Sequence, residues 1–325
     1  MNRRRFLSLS ALSATGLPSC NSKPADPNAP VRFGHFPNIT HVQALVARHF
    51  SSIGKGWYES RIGVPVEWFP YNAGPSATEA IFSGSLDVTY IGPSPVLNAY
   101  AKSKGADIRI LAGAANGGSS ILVRPQSNIK TIADFKGKKI ATPQFGNTQD
   151  VQMRALLMEN GFKITQTGGD AVILPTQNAD LLSLFQQGSI DAAWAPEPFA
   201  SVLELEGGAV NFKEDRDTNV TMLVSSVAFL KGRPEVAKKL AAAHRELTEW
   251  IKANPAEARQ FLVAQLKAIT TKEPKAAVVD KALARVILTN DLSRPSLEKM
   301  VQSAKSAGFI SEFPPLDELL SHSHP

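Results

Sequence analysis

From residue 31 onward the chain alternates short apolar runs with helical patterns. Val31-Arg32-Phe33-Gly34-His35-Phe36 reads as a first strand, and Val64–Tyr71 as a second, with Pro65 at its start. Between them, Pro37-Asn38-Ile39-Thr40 is a turn in which Asn38 or Thr40 caps a helix over His41–Phe50. Two stretches then echo each other. The first runs from Tyr71-Asn72-Ala73-Gly74-Pro75-Ser76-Ala77-Thr78 to Gly84-Ser85-Leu86-Asp87-Val88-Thr89-Tyr90-Ile91-Gly92-Pro93-Ser94-Pro95. The second runs from Leu181 to Gly188-Ser189-Ile190-Asp191-Ala192-Ala193-Trp194-Ala195-Pro196-Glu197-Pro198. Each reads as a helix closed by Gly, a Gly-Ser-apolar-Asp turn, a buried strand, and a Pro-marked turn into a new helix.

Further strands are expected around Ile108–Ala114 and Ser120–Val123, at Lys138–Thr142, at Val172–Leu174 and over Thr221–Phe229. A short helix is expected at 131–135, and a longer one opens at Gly146-Asn147-Thr148-Gln149-Asp150. Beyond residue 229 the pattern is wholly helical. Pro234 starts a helix with Val236, Leu240, Ala243, Leu247, Trp250 and Ile251 on one face, and others follow at about 255–267, 274–288 and 295–307. Strand–helix alternation predicts α/β architecture with parallel pairing. The doubled device predicts two lobes facing one cleft, with the late helices flanking the first. A helix start carries unpaired N–H groups and a positive dipole end, so such a cleft holds an anion without any lysine.

The first 30 residues follow a different pattern. Arg3-Arg4-Arg5 precede a short apolar run, Phe6–Leu17, too short to stay in a membrane as a span. This is a secretory signal, and Arg3-Arg4-Arg5-Phe6-Leu7 resembles the twin-arginine export motif; a general export signal is the alternative. Cys20 is the only cysteine, so no intrachain disulfide forms. Leu17-Pro18-Ser19-Cys20 resembles a bacterial lipobox, with Pro18 departing from the usual small residue, and lipidation is expected at Cys20. Residues 21–30 are a polar, Pro-rich tether.

Composition removes several classes. The apolar share is 43% and the charged share 20%, which excludes a disordered chain. The formal charge of +6 drops to +3 once residues 1–19 and their three arginines are removed, too little to draw nucleic acid or an anionic membrane surface. No P-loop, no His-Glu-x-x-His, no paired cysteine ligands and no Gly-x-Ser-x-Gly elbow occur, so no cofactor, metal or catalytic group is expected. Gly113-Ala114-Ala115-Asn116-Gly117-Gly118 lies between two strands and lacks the helix a dinucleotide loop needs.

Gly34-His35-Phe36-Pro37-Asn38-Ile39-Thr40-His41, Asn72-Ala73-Gly74-Pro75-Ser76, Tyr90-Ile91-Gly92-Pro93-Ser94-Pro95 and Trp194-Ala195-Pro196-Glu197-Pro198 resemble, in order along nearly the whole mature chain, the solute-binding proteins of ABC importers for aliphatic sulfonates, taurine and nitrate. The resemblance implies a type II periplasmic-binding-protein fold, two α/β lobes joined by two crossover strands. It implies residues 31–123 with 222–325 as the first lobe, 124–221 as the second, and crossings near Val123-Arg124 and Thr221-Met222. It also implies a monomer that is periplasmic or on the outer cell surface, closes on a small anionic or zwitterionic ligand, and serves a permease and a separate ATPase.

The cleft motifs of that family fall on Asn38 and Thr40, Ser76 and Thr78, Ser94, Gly118 and Ser119 (with Ser120), then Asn147, Thr148, Gln149, Trp194 and Glu197. Hydroxyls, amides and free N–H groups suit a sulfonate's three oxygens. Each Ser, Thr or Asn serves equally as a helix cap. Glu197 in the cleft would repel a bare sulfonate and favour an amine-bearing one such as taurine, or a thiamine-precursor pyrimidine; otherwise it caps the helix after Pro196 and pairs with a Lys or Arg. Trp194 and Tyr90 read either as apolar walls or as core, and His41 either as an anion donor or as a helix-surface residue. An exported enzyme on this fold and a ligand-binding sensor are the other two readings.

Overall fold

The computed structural model describes residues 26–323. The signal, Cys20 and the first half of the tether, residues 21–25, lie outside the described residues. Two mixed sheets form the molecule. The first contains β1 (Val31–His35), β2 (Val66–Pro70), β3 (Val88–Ile91), β4 (Ile108–Gly117), β10 (Asn219–Ser226) and β11 (Val286–Leu288), in the order β11-β4-β10-β3-β1-β2. The second contains β5 (Ser119–Val123), β6 (Lys139–Thr142), β7 (Val172–Pro175), β8 (Ala192–Pro196) and β9 (Val210–Asp215), in the order β7-β6-β8-β5-β9. In each sheet three strands run parallel, β2-β1-β3 and β7-β6-β8, as strand–helix alternation requires.

The central strands of both sheets are buried on both faces, and the period of two sorts their side chains. In β10, Leu223 joins one apolar cluster, and Met222 and Val224 the other. In β5, Ile121 and Val123 face one cluster of the second half, and Leu122 its opposite. Burying a Leu or Ile side chain stabilises by about 1.5–3 kcal/mol, so a one-residue slip in either strand would be costly. The helix Pro234–Ala253 starts on Pro at its first turn and buries Leu240, His244, Leu247 and Ile251 against the first half.

Three expectations are corrected. The chain passes between the sheets at Gly117-Gly118 and across residues 216–218, rather than at Val123-Arg124 and Thr221-Met222. Ser119–Val123 pairs with β8 and β9, so it opens the second half instead of closing the first, and β10 already begins at Asn219. Gly117 and Gly118 both adopt positive φ (70° and 66°), which bends the chain from one sheet into the other. The expected helix over 274–288 is a helix at Ala276–Leu283 followed by β11, because Val286, Ile287 and Leu288 pair with Ala115–Gly117 of β4. Strand β9 was not legible: Val210-Asn211-Phe212-Lys213-Glu214-Asp215 is a mostly polar edge strand.

The two halves are closed on each other. Asn72 Nδ2 donates to Pro143 O (3.1 Å), Gln144 Nε2 donates to Ser76 Oγ (2.9 Å), Ile39 N donates to Glu197 O (2.9 Å), and the Phe145 and Phe309 rings lie 4.9 Å apart.

Candidate functional site

The carboxyl ends of β1, β3, β6 and β8 point toward one another across the closed cleft, and a helix starts beyond each of β1, β2, β3 and β6. The 3-10 turn Ile39–His41 leads into Val42–Ser52 after Asn38. Gly74–Phe82 starts after Ala73, Pro93–Lys102 after Gly92, and Thr148–Glu159 after Asn147. Their first residues enclose a chamber of about 30 Å³ lined by Phe36, Asn38, Thr40, His41, Asn72, Ala73, Gly74, Gly92, Pro95, Pro143, Asn147, Thr148, Gln149, Asn178, Pro196 and Val220. Among the described residues no charged side chain lines it. Four helix N-termini therefore supply its positive potential, which suits a small oxyanion. The close approach is built into the sequence. A Cβ on Gly92 would overlap Thr148 Oγ1 across the cleft, and one on Gly74 would overlap Pro95.

Five of the expected site residues, Asn38, Thr40, Asn147, Thr148 and Gln149, line this chamber. Asn38 is 4% exposed, and its Oδ1 is buried without a hydrogen-bond partner among the described residues. Asn147 is a helix cap as well, its Oδ1 accepting from Asp150 N at 2.9 Å, while its Nδ2 donates to Gln149 Oε1 at 2.8 Å. Asp150, fully buried, accepts from Gly146 N and Thr142 Oγ1 (both 2.9 Å) and pairs with Arg154, which fixes the loop before that helix.

The remaining expected residues lie outside the chamber lining. Ser76 meets Gln144 at the cleft mouth, and the Thr78 hydroxyl donates to Pro75 O within its own helix. Ser94 Oγ donates to Gly146 O (3.3 Å), a bond between the halves. Gly118 forms the crossing, and its amide neighbour Ser119 accepts from Trp194 Nε1 (2.9 Å) and Gln149 Nε2 (3.2 Å). Trp194 thus belongs to the core of the second half and braces Gln149 only through Ser119.

Glu197 takes the second of the two readings its sequence context left open, a helix cap paired with an arginine. Its carboxylate is fully buried away from the chamber, where Oε1 pairs with Arg285 Nη1 at 3.0 Å and Oε2 accepts from Ser201 N at 3.0 Å. Arg285 also bridges Glu204 (2.9 Å) and Glu214 (3.5 Å). Burial pushes Glu197 above the ordinary carboxyl range, although Ser201 and Arg285 pull the other way. Its charge is answered within the protein, so it calls for no ligand amine.

Three chamber residues were missed or undervalued: His41, Asn72 and Asn178. His41 is buried, and Phe36 N donates to its Nδ1 (3.3 Å). Burial, then neighbouring His35, pushes its pKa well below the ordinary value, so the ring is neutral and carries its hydrogen on Nε2. His35 itself is lowered to about 3 by burial and by Arg48. Asn72 and Asn178 each follow a parallel strand (β2 and β7) just before a helix. Their equivalent places in the two halves were the signal in the sequence. Tyr90 lies in the first core, where its hydroxyl joins Tyr58 (2.6 Å) and His244 Nδ1 (2.8 Å).

The fold is a two-lobed α/β fold of the periplasmic-binding-protein type. Solved structures agree. The alkanesulfonate-binding protein SsuA of Xanthomonas axonopodis pv. citri, bound to MOPS, superposes with a TM-score of 0.72 at 21% identity, covering 90% of this chain and 98% of that one. The nitrate-binding protein NrtA of Synechocystis PCC 6803 gives 0.69 at 14% identity, covering 89% and 84%. By sequence, a protein named as a binding protein in Brucella abortus is 29% identical over 96% of this chain and 91% of its own length. An Escherichia coli protein named for binding aliphatic sulfonates is 32% identical over 60% and 57%. The NMT1-like family profile matches residues 24–267, and the chain belongs to the NMT1-like family.

Proposed function

We propose that this chain is the extracytoplasmic solute-binding subunit of an ABC importer, and that it captures an aliphatic sulfonate by closure of its two lobes. The observation that carries this reading is the chamber: four helix N-termini, uncharged amides and hydroxyls, and the neutral His41 converge on it, with contributions from both halves. A sulfonate stays ionised at any ordinary pH and offers three acceptor oxygens to such donors. A ligand that touches both halves binds the closed state better and shifts the population toward it. The names carried by the Escherichia coli and Xanthomonas relatives support the same ligand class.

In this reading the protein is no enzyme. It works as a monomer on the outer side of the membrane, tethered through Cys20 after export on the arginine-rich signal, and hands its ligand to a permease driven by a separate ATPase. The named test is a thermal-shift panel on residues 21–325 with taurine, alkanesulfonates, nitrate, sulfate and aminopyrimidines. Sulfonates are expected to raise Tm. A rise with nitrate alone, with an aminopyrimidine alone, or with none of the sulfonates overturns the assignment.

A further inference from the structure

The chamber is too small for a whole organic ligand: about 30 Å³ holds two or so waters, whereas drug-sized ligands occupy pockets about ten or more times larger. A groove of about 440 Å³ adjoins it, between the second half and the loop that joins the late helices of the first. Leu181, Leu182, Phe199 and Val202 wall the groove on one side, and Leu266 and Val278 on the other. Asn38, Asn72 and Asn178 line both voids, so these three asparagines form the neck between them. Asn72 is held in place: it donates to Pro143 O at 3.1 Å and accepts from Asn178 N at 3.3 Å. Asn38 and Asn178 are each 4% exposed, and the Oδ1 of each is buried without a hydrogen-bond partner among the described residues. Each such oxygen leaves a desolvated acceptor unsatisfied, and a donor at the neck would relieve it.

Three chemistries therefore lie next to one another: an anion chamber, a neck with two acceptors unpaired among the described residues, and a largely apolar groove rimmed by Glu206, Lys272, Glu273 and Lys275. We propose that the ligand is an amphiphilic anion, with its head in the chamber, an N–H-bearing linker at Asn38 and Asn178, and an apolar chain in the groove; an N-acyl aminoalkanesulfonate is the simplest such molecule. This rests on the reading of the chamber as a sulfonate site. It adds the linker and the chain, and it gives the late helices a part in recognition beyond that of a flank.

The test is calorimetric titration of the mature protein with two series, n-alkanesulfonates and N-acyltaurines, from two to eight chain carbons. Kd is expected to fall about fourfold per added methylene until the groove is filled. At equal length the N-acyltaurine is expected to bind about tenfold more tightly than the alkanesulfonate. The variants Val202→Trp and Leu182→Trp, which fill the groove, are expected to flatten the dependence on chain length. The wild-type series decides the matter even where a variant fails to fold. If ethanesulfonate binds but Kd stays within twofold along both series, the groove assignment is overturned and the sulfonate chamber stands. Equal affinity of the two series overturns the linker. If no member of either series binds, the chamber reading itself is overturned.

Discussion

Replacing Arg285 by Gln would leave three carboxylates facing one another around a single vacated position. Arg285 stands just before β11, in the first half, and its partners Glu197, Glu204 and Glu214 all belong to the second. Removing one partner of a buried pair costs about 3–5 kcal/mol, mostly because the other charge stays desolvated. Here the lower end applies. The Glu197 side chain is fully buried, but Glu214 is 19% exposed and Glu204 keeps Lys281. For a chain of this length an unfolding entropy of about 0.6 kcal/mol/K turns about 3 kcal/mol into a Tm loss of about 5 °C.

The pH dependence gives the prediction its sign. Burial raises the Glu197 pKa, so its contribution favours the folded state at low pH and is lost as pH rises through the folded pKa. Burial also pushes Glu204 upward, but Arg285 and Lys281 outweigh it and hold the pKa below normal. Its contribution is therefore present above about pH 4.5 and is lost as pH falls through the folded pKa. Without Arg285 both pKa values rise, and the variant suffers only where the carboxylates must ionise. The Tm deficit of Arg285→Gln, followed by circular dichroism, is expected to be about 5 °C at pH 7 and less than half of that at pH 4. An equal deficit at both pH values, or one under 1 °C at pH 7, would refute the reasoning. Arg285→Lys should recover part of the loss.

Gly92→Ala places a methyl group against Thr148 Oγ1 only when the halves are closed, and Gly92 has an ordinary φ of −77°. Sulfonate affinity should therefore fall about a hundredfold while the Tm without ligand moves by no more than about 2 °C; unchanged affinity would contradict the closed geometry. Asn38→Ala should weaken binding of an N-acyltaurine about tenfold by calorimetry, the worth of one hydrogen bond to its linker N–H. Because His41 is held neutral by burial, Kd for a sulfonate should change less than twofold between pH 5.5 and 8.5, whereas a tenfold tightening on acidification would show that an imidazolium holds the anion. His244→Phe would leave the Tyr90 hydroxyl with Tyr58 alone and take the imidazole from Gly113 O, and should cost about 2 kcal/mol in urea denaturation; a loss under 0.5 kcal/mol would mean that water replaces the ring.

The sequence by itself determined the elements whose signals are local. Apolar runs such as Ile121-Leu122-Val123, glycines that end helices, and prolines that start them act over a few residues, and the strands and helix starts at Asn38, Gly74, Pro93 and Thr148 follow from them. The anion-holding character of the cleft was legible for the same reason, since a helix N-terminus needs no distant partner. Tertiary structure alone decided which sheet β5 joins, that Val286–Leu288 becomes a strand, and that the polar run Val210–Asp215 forms an edge. Each depends on pairing with residues far along the chain, and side-chain periodicity does not encode that pairing. The fate of Glu197 was decided in the same way. Arg285, which neutralises it, lies 88 positions later, and only the folded backbone brings the two within 3.0 Å. A buried carboxylate without that guanidinium would have called for a ligand amine; with it, the charge is met inside the protein.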